Sequence, residues 1–326
     1  MKKYLILLIF ILTQNENLFS QNKFISDKII QYTNNISIAI VNNNKGQLEE
    51  ASKYFKKANQ ILPIHYWDLM YVKNLIRKKF DKELFLICVH EECIQRGFSS
   101  SMGDTSFTRN LSAKDLRKIK KQVSIYETQY LVNTDKDIEN QLTQIISLDQ
   151  FARGSNIVYL YNCDSCLVHR RRLMHYIDSA YTKPAIENIA KQNKLTYRSF
   201  GSSYNSFILI IRHIANNHSK DTIQNRFWEE FVNRLVSEFI ITPQYYANLT
   251  DYCFNFKIDE NNQKRPMNTY GEFSYFKGKL EIDDPEKTDQ RRAEIGLLPL
   301  WESSPKSNLP NNYIFWYESK SAKPKE

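Results

Sequence analysis

The sequence predicts a mainly α-helical protein, with repeat-like helical hairpins in its N-terminal part and a C-terminal helical domain that carries a small β-hairpin. Two observations favour helices. Only 8 of the 326 residues are glycine, which is few for sandwiches, barrels and Rossmann folds because these use many glycine turns. Apolar residues also recur three and four positions apart over most of the chain, which is the helical period.

The N-terminus has the three parts of a cleavable secretory signal. Lys2 and Lys3 supply the positive flank, Tyr4 to Leu12 is an unbroken apolar run, and Ser20 is a small residue at the expected cleavage point. Because a bilayer span needs about 20 apolar residues, this run is too short for a transmembrane helix, and an uncleaved anchor is the alternative. We expect export to the periplasm or the extracellular space, and a mature chain without a transmembrane segment.

The chain divides into four expected regions. They are the signal peptide at 1–20, a repeat-like helical segment at 21–135, a helical domain at 136–302 and a tail at 303–326. The formal charge of +9 is spread over short basic runs, which is typical of a solvated surface attracted to anionic lipid or polysaccharide. No nucleic-acid-binding motif is present, so we expect no nucleic-acid partner.

Three amphipathic segments come first in the mature chain, and they predict helices over 48–62, 66–78 and 83–96. Residues 46–58 read GQLEEASKYFKKA, and Pro63 follows them. This stretch resembles the first helix of a tetratricopeptide-like repeat, which implies a concave surface for a protein or peptide partner. An ordinary helical hairpin is the alternative, since one repeat is visible and a stable stack needs about three.

Six further helices are expected in the second part of the chain. They cover residues 115–128, 138–151, 171–193, 203–216, 223–239 and 242–251. Pro184 bends or divides the third of them, and Thr242-Pro243 opens the last as an N-cap followed by proline at the first helical position. Residues 157–161 are a short β-prone run.

The pattern changes after residue 251. The stretches 252–256 and 270–275 are aromatic and alternating, and they predict the small hairpin. Asp284-Pro285 then opens one more helix, which Gly296 ends. We expect the tail to dock on the body through its aromatic residues.

Polar motifs extend over residues 149–301, about half of the chain. Residues 149–153 read D-Q-F-A-R, His213 follows a buried apolar run, residues 270–271 read Y-G, and residues 284–300 fit D-P-x-x-x-D-x-R-R-x-x-x-G-L-x-P-L. These motifs resemble those of a bacterial domain family of unknown function, which has D-Q-x-x-R, Q-H-A-D and Y-G-T-Q in corresponding places. Further positions of that family are matched by Asp178, Gly201 and residues 246–251.

The chain departs from this family at several polar positions. Q-H-A-D is replaced by R-H-I-A at 212–215, Y-G-T-Q by Y-G-E-F at 270–273, and the family's D-R is Asp251-Tyr252 here. The family has no assigned substrate, so the resemblance implies a shared site without a known reaction. The replaced residues put any activity of that site in doubt for this chain.

Seven residues of these motifs are candidate site residues. His213 is a candidate general base near neutral pH, with Asp149 or Asp251 as its orienting carboxylate. A guanidinium group can bind a carboxylate or phosphate with a forked contact. The candidate ligand-binding residues are Arg153, Tyr270, Arg291 and Arg292. Together they would form a small hydrolase or lyase site.

Each candidate also has a structural explanation. His213 can be a hydrogen-bonded core histidine, and Asp149 with Arg153 is an ordinary i, i+4 helix pair. Arg292 lies near a helix C-terminus, where a cation is favoured, and Tyr270 begins a turn. The sequence therefore leaves catalysis open.

The five cysteines do not define a metal or redox site. Cys163 and Cys166 form a C-x-x-C with His169 and His175 nearby, but no second pair of ligands completes a zinc site. A local disulfide or two free thiols is expected there. Glycine-rich phosphate loops, nucleophile elbows and H-E-x-x-H motifs are absent, so we expect neither a metal nor a cofactor.

Two functions follow from these patterns. The first is an exported binding or scaffolding module that holds a protein or peptide on its N-terminal helical arm. The second is a hydrolase-like enzyme that uses His213 with Asp149 or Asp251. An open cleft shared by the candidate residues would favour the enzyme, whereas a C-terminal domain packed over the arm would count against the binding arm.

Overall fold

A computed structural model of the chain describes residues 24–153, 164–192, 195–218, 222–253, 256–258, 264–266, 269–272, 281–304 and 306–321. This part of the chain is mainly helical, as the sequence predicts. The signal at 1–20, the β-prone run at 157–161 and the side chains of the C-x-x-C pair lie outside it. No helix in the described ranges combines the length and the apolarity that a membrane crossing requires.

Four helices open the described chain, and the sequence analysis did not predict the first. They are α1 (Asp27–Asn44), α2 (Leu48–Ile61), α3 (Leu69–Lys78) and α4 (Lys82–Arg96). The Ser26 hydroxyl caps α1 by accepting a hydrogen bond from the Ile29 N–H. The hairpin partner of α2 is this unpredicted helix, since the two pack along each other. At its far end α4 stops at Gly97, which has a φ of 76°.

Four more helices lead to the first candidate site residues. They are α5 (Ser100–Gly103), α6 (Thr105–Thr108), α7 (Ala113–Asn133) and α8 (Lys136–Arg153). α7 packs against α4. Both long helices begin earlier than their apolar pattern, because Ser112 caps α7 and the Asp135 carboxylate caps α8.

The helix predicted over 171–193 is divided just before Pro184. The observed elements are α9 (Asp164–Ile177), a π-helical turn (Asp178–Thr182) and α10 (Lys183–Ala190). Proline has no N–H to continue the regular bonding pattern, which explains a break at this place. The π-helical turn begins with Asp178, one of the candidate motif residues.

The buried part of the C-terminal half follows. Its elements are a 3₁₀ segment (Tyr197–Ser203), α11 (Tyr204–His218), α12 (Thr222–Ser237) and α13 (Pro243–Cys253). The Thr242 hydroxyl accepts a hydrogen bond from the Tyr245 N–H at 3.2 Å. This cap confirms the predicted start of α13.

Among the described residues of 252–256 and 270–275, the predicted pairing is not seen. The described backbone instead pairs β1 (Phe256–Ile258) antiparallel with β2 (Lys264–Pro266). Residues 269–272 form a turn, because the Asp251 carboxylate holds three of their N–H groups. Backbone donors held in this way are not available for a strand ladder.

The last elements confirm the predicted caps and the docking of the tail. They are α14 (Pro285–Glu294), α15 (Leu300–Ser303), a 3₁₀ turn (Lys306–Asn308) and α16 (Asn311–Ser321). Asp284 caps α14 by accepting from the Lys287 N–H, and Gly296 follows its end with a φ of 82°. Tyr313 of α16 is buried in a small cluster with Ile282 and Leu300.

One hydrophobic core joins the N-terminal and C-terminal segments. It extends from Ile25 and Tyr32 at α1 to Ile295 and Leu297 after α14. α1 also contacts α13 and α15 directly. The C-terminal part therefore covers one side of the N-terminal helices, which counts against a free binding arm.

Candidate functional site

Four of the motif residues meet in one polar cluster, although they come from three separate parts of the sequence. Arg153 donates from Nε to Asp149 Oδ1 at 2.7 Å, and from Nη2 to both oxygens of Asp178 at 2.7 and 2.8 Å. His213 Nδ1 lies 2.9 Å from Asp149 Oδ2. The predicted pairing of His213 with Asp149 is thus present, and we call these four residues the His–Asp cluster.

Three elements place this cluster. Asp149 and Arg153 lie one turn apart at the end of α8, which directs both side chains to the same face. The π-helical turn presents Asp178 to the guanidinium group, and α11 carries His213 in its middle. The structure therefore uses the i, i+4 pair for more than helix stability, because the pair ties α8 to two other elements.

Arg153 pairs with both carboxylates of the cluster, and His213 contacts one of them. Burial alone would raise the pKa of Asp149, but hydrogen bonds from His213 and Arg153 outweigh it and lower that pKa. Asp149 is buried, whereas the His213 side chain keeps 23% of its surface exposed. An Asp-oriented imidazole with Nδ1 engaged can transfer protons through Nε2, so acid–base chemistry is possible here.

Asp251 does not join this cluster. Its Oδ1 accepts from the N–H groups of Thr269 and Tyr270 at 2.6 and 2.9 Å, and its Oδ2 accepts from Glu272 at 2.7 Å. Burial raises the pKa of Asp251 to about 6, against the effect of these hydrogen bonds. The described contacts give Asp251 a place in the 269–272 turn and not beside His213.

The remaining candidate residues also serve internal contacts. Arg292 is only 1% exposed and donates to Tyr270 O, Leu298 O, Ser303 Oγ and Glu272. Arg291 pairs with Asp283 near the surface. The buried ring of Tyr270 lies beside that of Tyr246, with 6.0 Å between their centroids. The described contacts of these three residues are thus made with other parts of the fold.

Sequence reasoning missed a pocket where the N-terminal helices meet α13. We call it the junction pocket; its cavity has a volume of about 250 Å³. Its wall consists of Trp67, Asp68, Met70, Tyr71, Thr242, Gln244, Tyr245, Asn248 and Glu272. The rings of Trp67 and Tyr245 stack with an interplanar angle of 14° and 5.9 Å between centroids.

Asp68 is the unusual residue of the junction pocket. The residue is 4% exposed, and its carboxylate accepts a hydrogen bond from the Tyr32 hydroxyl at 2.6 Å. Across the described ranges, no Lys, Arg or His side chain forms an ion pair with it. Burial raises the pKa of Asp68 to about 7, and the Tyr32 hydrogen bond opposes this shift. The only sequence signal was an acidic residue inside the apolar segment 66–78.

Comparisons with known proteins supply no relative: no protein-family model, no curated protein and no solved structure matches this chain. Within the ranges given above, no three His, Cys, Asp or Glu side chains are grouped as metal ligands would be. The two candidate sites are therefore the His–Asp cluster and the junction pocket.

Proposed function

We propose that the chain is an exported binding module that takes a peptide or protein segment in the junction pocket. The observation that carries this proposal is the pocket itself, which has stacked aromatic rings on its wall and a buried carboxylate beside them. Binding sites typically combine apolar, aromatic walls with a few polar groups that orient the ligand. The pocket replaces the free concave arm as the place where a partner binds.

Three further parts of the proposal come from the sequence. Export is supported by Lys2, Lys3 and the apolar run that follows. The repeat-like character of the N-terminal segment is supported by residues 46–58 and by the hairpin that α2 forms with α1. Membership of the bacterial domain family is supported by the convergence of four motif positions in the His–Asp cluster.

Export is tested by the mass of the protein recovered from the culture medium or periplasm of an expressing bacterium. We expect a mature chain that begins at Gln21. Replacing Ile6 and Leu8 with arginine should keep the full-length chain inside the cell, because the apolar run is what the secretion machinery recognises. An exported chain that still carries residues 1–20 would support the uncleaved anchor instead.

Binding is tested on an array of short peptides probed with the purified mature chain. Peptides that bind should lose about tenfold or more of their affinity for Tyr245→Ala, which removes half of the aromatic stack. The matched control is Phe151→Ala, which removes an exposed aromatic ring on α8, outside the pocket wall. Equal binding by all three proteins would contradict the proposal.

A hydrolase-like enzyme is the second candidate function, and the 2.9 Å contact between His213 and Asp149 favours it. A panel of ester and amide substrates should then reveal hydrolysis that His213→Gln abolishes. Asp149→Asn should lower the rate and change its pH profile, whereas Asp251→Asn should leave the pH profile unchanged, because Asp251 holds the 269–272 turn. Activity that survives His213→Gln would exclude this candidate.

A further inference from the structure

The junction pocket contains a buried carboxyl group, that of Asp68, without a partner of opposite charge in the described chain. Glu272, the other acid of the wall, is paired with Arg292 at 2.5 Å and accepts a hydrogen bond from Gln244. Within the described ranges, the donor to the Asp68 carboxylate is the neutral Tyr32 hydroxyl. Because a buried carboxylate without a counter-ion costs free energy, a site of this kind is stabilised by a ligand that brings the positive charge.

The other groups of the wall suit the same ligand. The rings of Trp67 and Tyr245 have faces that attract organic cations. Asn248 donates its amide NH₂ to Glu272 O, so its carbonyl oxygen can accept from a ligand. A volume of about 250 Å³ is below the range of about 300–1,000 Å³ typical of drug-sized ligands. The space fits one side-chain-sized group.

We propose that the junction pocket binds one organic cation, a primary ammonium or guanidinium group, with Asp68 as its counter-ion and the Trp67–Tyr245 stack as its aromatic wall. This inference rests on the proposed binding function and names its ligand class: the partner presents a lysine or arginine side chain. A free alkylammonium ion has the same chemistry, and the experiment separates the two sources.

Protonation of Asp68 links binding to pH. Burial raises the pKa of this carboxyl to about 7, so cation binding releases a proton near neutral pH and weakens below it. The titratable groups that face Asp68 are Tyr32 on α1, His65 before α3, Tyr71 on α3, Tyr204 on α11 and Glu272 in the turn. Burial raises the pKa values of the three tyrosines and lowers that of His65, so the tyrosines and His65 stay neutral near pH 7. Glu272 is paired with Arg292.

The test uses calorimetric titration of the mature chain with three probes at pH 8. They are an acetylated pentapeptide with one central lysine, its norleucine analogue and butylammonium. We expect the lysine peptide to bind about tenfold or more tightly than the norleucine peptide. In Asp68→Asn this preference should fall to within about twofold, whereas Asp137→Asn, which changes an exposed carboxylate on α8, should retain it.

Each outcome separates the inference from the function on which it rests. If both peptides bind equally to the wild-type chain, the cation site is excluded and peptide binding stands. Binding of butylammonium without either peptide would keep the cation site and exclude the peptide-binding function. If Asp68→Asn does not fold, Tyr245→Leu provides the test. This variant should bind the lysine peptide more weakly and the norleucine peptide with unchanged affinity. An equal loss of affinity for both peptides would overturn the cation site.

Discussion

At the scale of single residues, Asp68 and His65 are both buried and lie three positions apart in the chain. Burial shifts their pKa values in opposite directions. Burial raises the pKa of Asp68 from 3.8 to about 7, and it lowers the pKa of His65 from 6.5 to about 4. In both cases the fold favours the neutral form. The free energy of unfolding therefore falls as pH rises from about 4 to 7 through Asp68, and falls as pH drops from about 6.5 to 4 through His65.

In the wild-type chain, the pH dependences of the free energy of unfolding that Asp68 and His65 cause oppose each other. The variant Asp68→Asn removes the Asp68 contribution and leaves that of His65. Without the Asp68 slope, the free energy of unfolding should rise between pH 4 and 6.5. The free energy of unfolding of Asp68→Asn, relative to that of the wild-type chain, should rise by roughly 3–4 kcal/mol between pH 4 and pH 8. Urea unfolding at several pH values measures it, with Asp137→Asn as the control. A difference that does not change with pH would show that Asp68 is ionised without penalty.

At the scale of elements, Arg292 joins three pieces of the C-terminal part. Its guanidinium group contacts the 269–272 turn through Tyr270 O, the chain after α14 through Leu298 O, and α15 through Ser303 Oγ. The same group neutralises Glu272 on the wall of the junction pocket. Arg291, its neighbour on α14, pairs with Asp283 in a more exposed position.

Because of this difference in burial, we expect replacement of the two adjacent arginines to lower the free energy of unfolding by unequal amounts. Arg292→Met should lower the free energy of unfolding by about 3–5 kcal/mol, because it removes a buried cation from Glu272 and from two carbonyl groups. Arg291→Met should cost less than about 1 kcal/mol, as exposed pairs do. Chemical denaturation of both variants gives the comparison. Equal costs would mean that the Arg292 contacts do not hold the turn.

Elements with local signals could be predicted from the sequence. Gly97, Thr242-Pro243 and Asp284-Pro285 mark helix ends through their own backbone preferences, and the structure has helix ends at these places. Helix α1 was missed, although Ser26 and the apolar residues Ile29, Tyr32 and Ile36 repeat the same signals. The hairpin was placed wrongly because Asp251 holds the N–H groups of the 269–272 turn, and such a contact between distant residues has no local signature.

At the scale of the whole molecule, the two candidate sites differ in what the sequence could reveal. The contact of Asp149 with His213 could be predicted because both residues belong to motifs of one family resemblance. The junction pocket could not, since Trp67 and Tyr245 are far apart in the chain and each looks like an ordinary core residue. Only packing of the N-terminal helices on α13 brings Asp68, Tyr245 and Glu272 to one cavity.

That packing depends on close approach of backbone to backbone at Gly296. This glycine has a φ of 82°, and a Cβ added to it would lie 2.4 Å from the carbonyl oxygen of Ile30 in α1. Gly46, in the turn between α1 and α2, has a similar φ of 76° but no heavy atom within 4 Å of an added Cβ. An alanine at Gly46 therefore adds only the free-energy cost of a left-handed backbone conformation. An alanine at Gly296 adds the cost of displacing α1 as well.

Gly46→Ala should lower the free energy of unfolding by about 1–2 kcal/mol, the usual cost of a left-handed conformation for a residue with a Cβ. Gly296→Ala should cost several kcal/mol, because α1 must also move away from the C-terminal part. Since one core joins both parts, we expect a single unfolding transition for the wild-type chain. Tryptophan fluorescence and far-ultraviolet circular dichroism should report the same midpoint. Two transitions, or equal costs for the two alanine variants, would show that the N-terminal helices fold independently of the C-terminal domain.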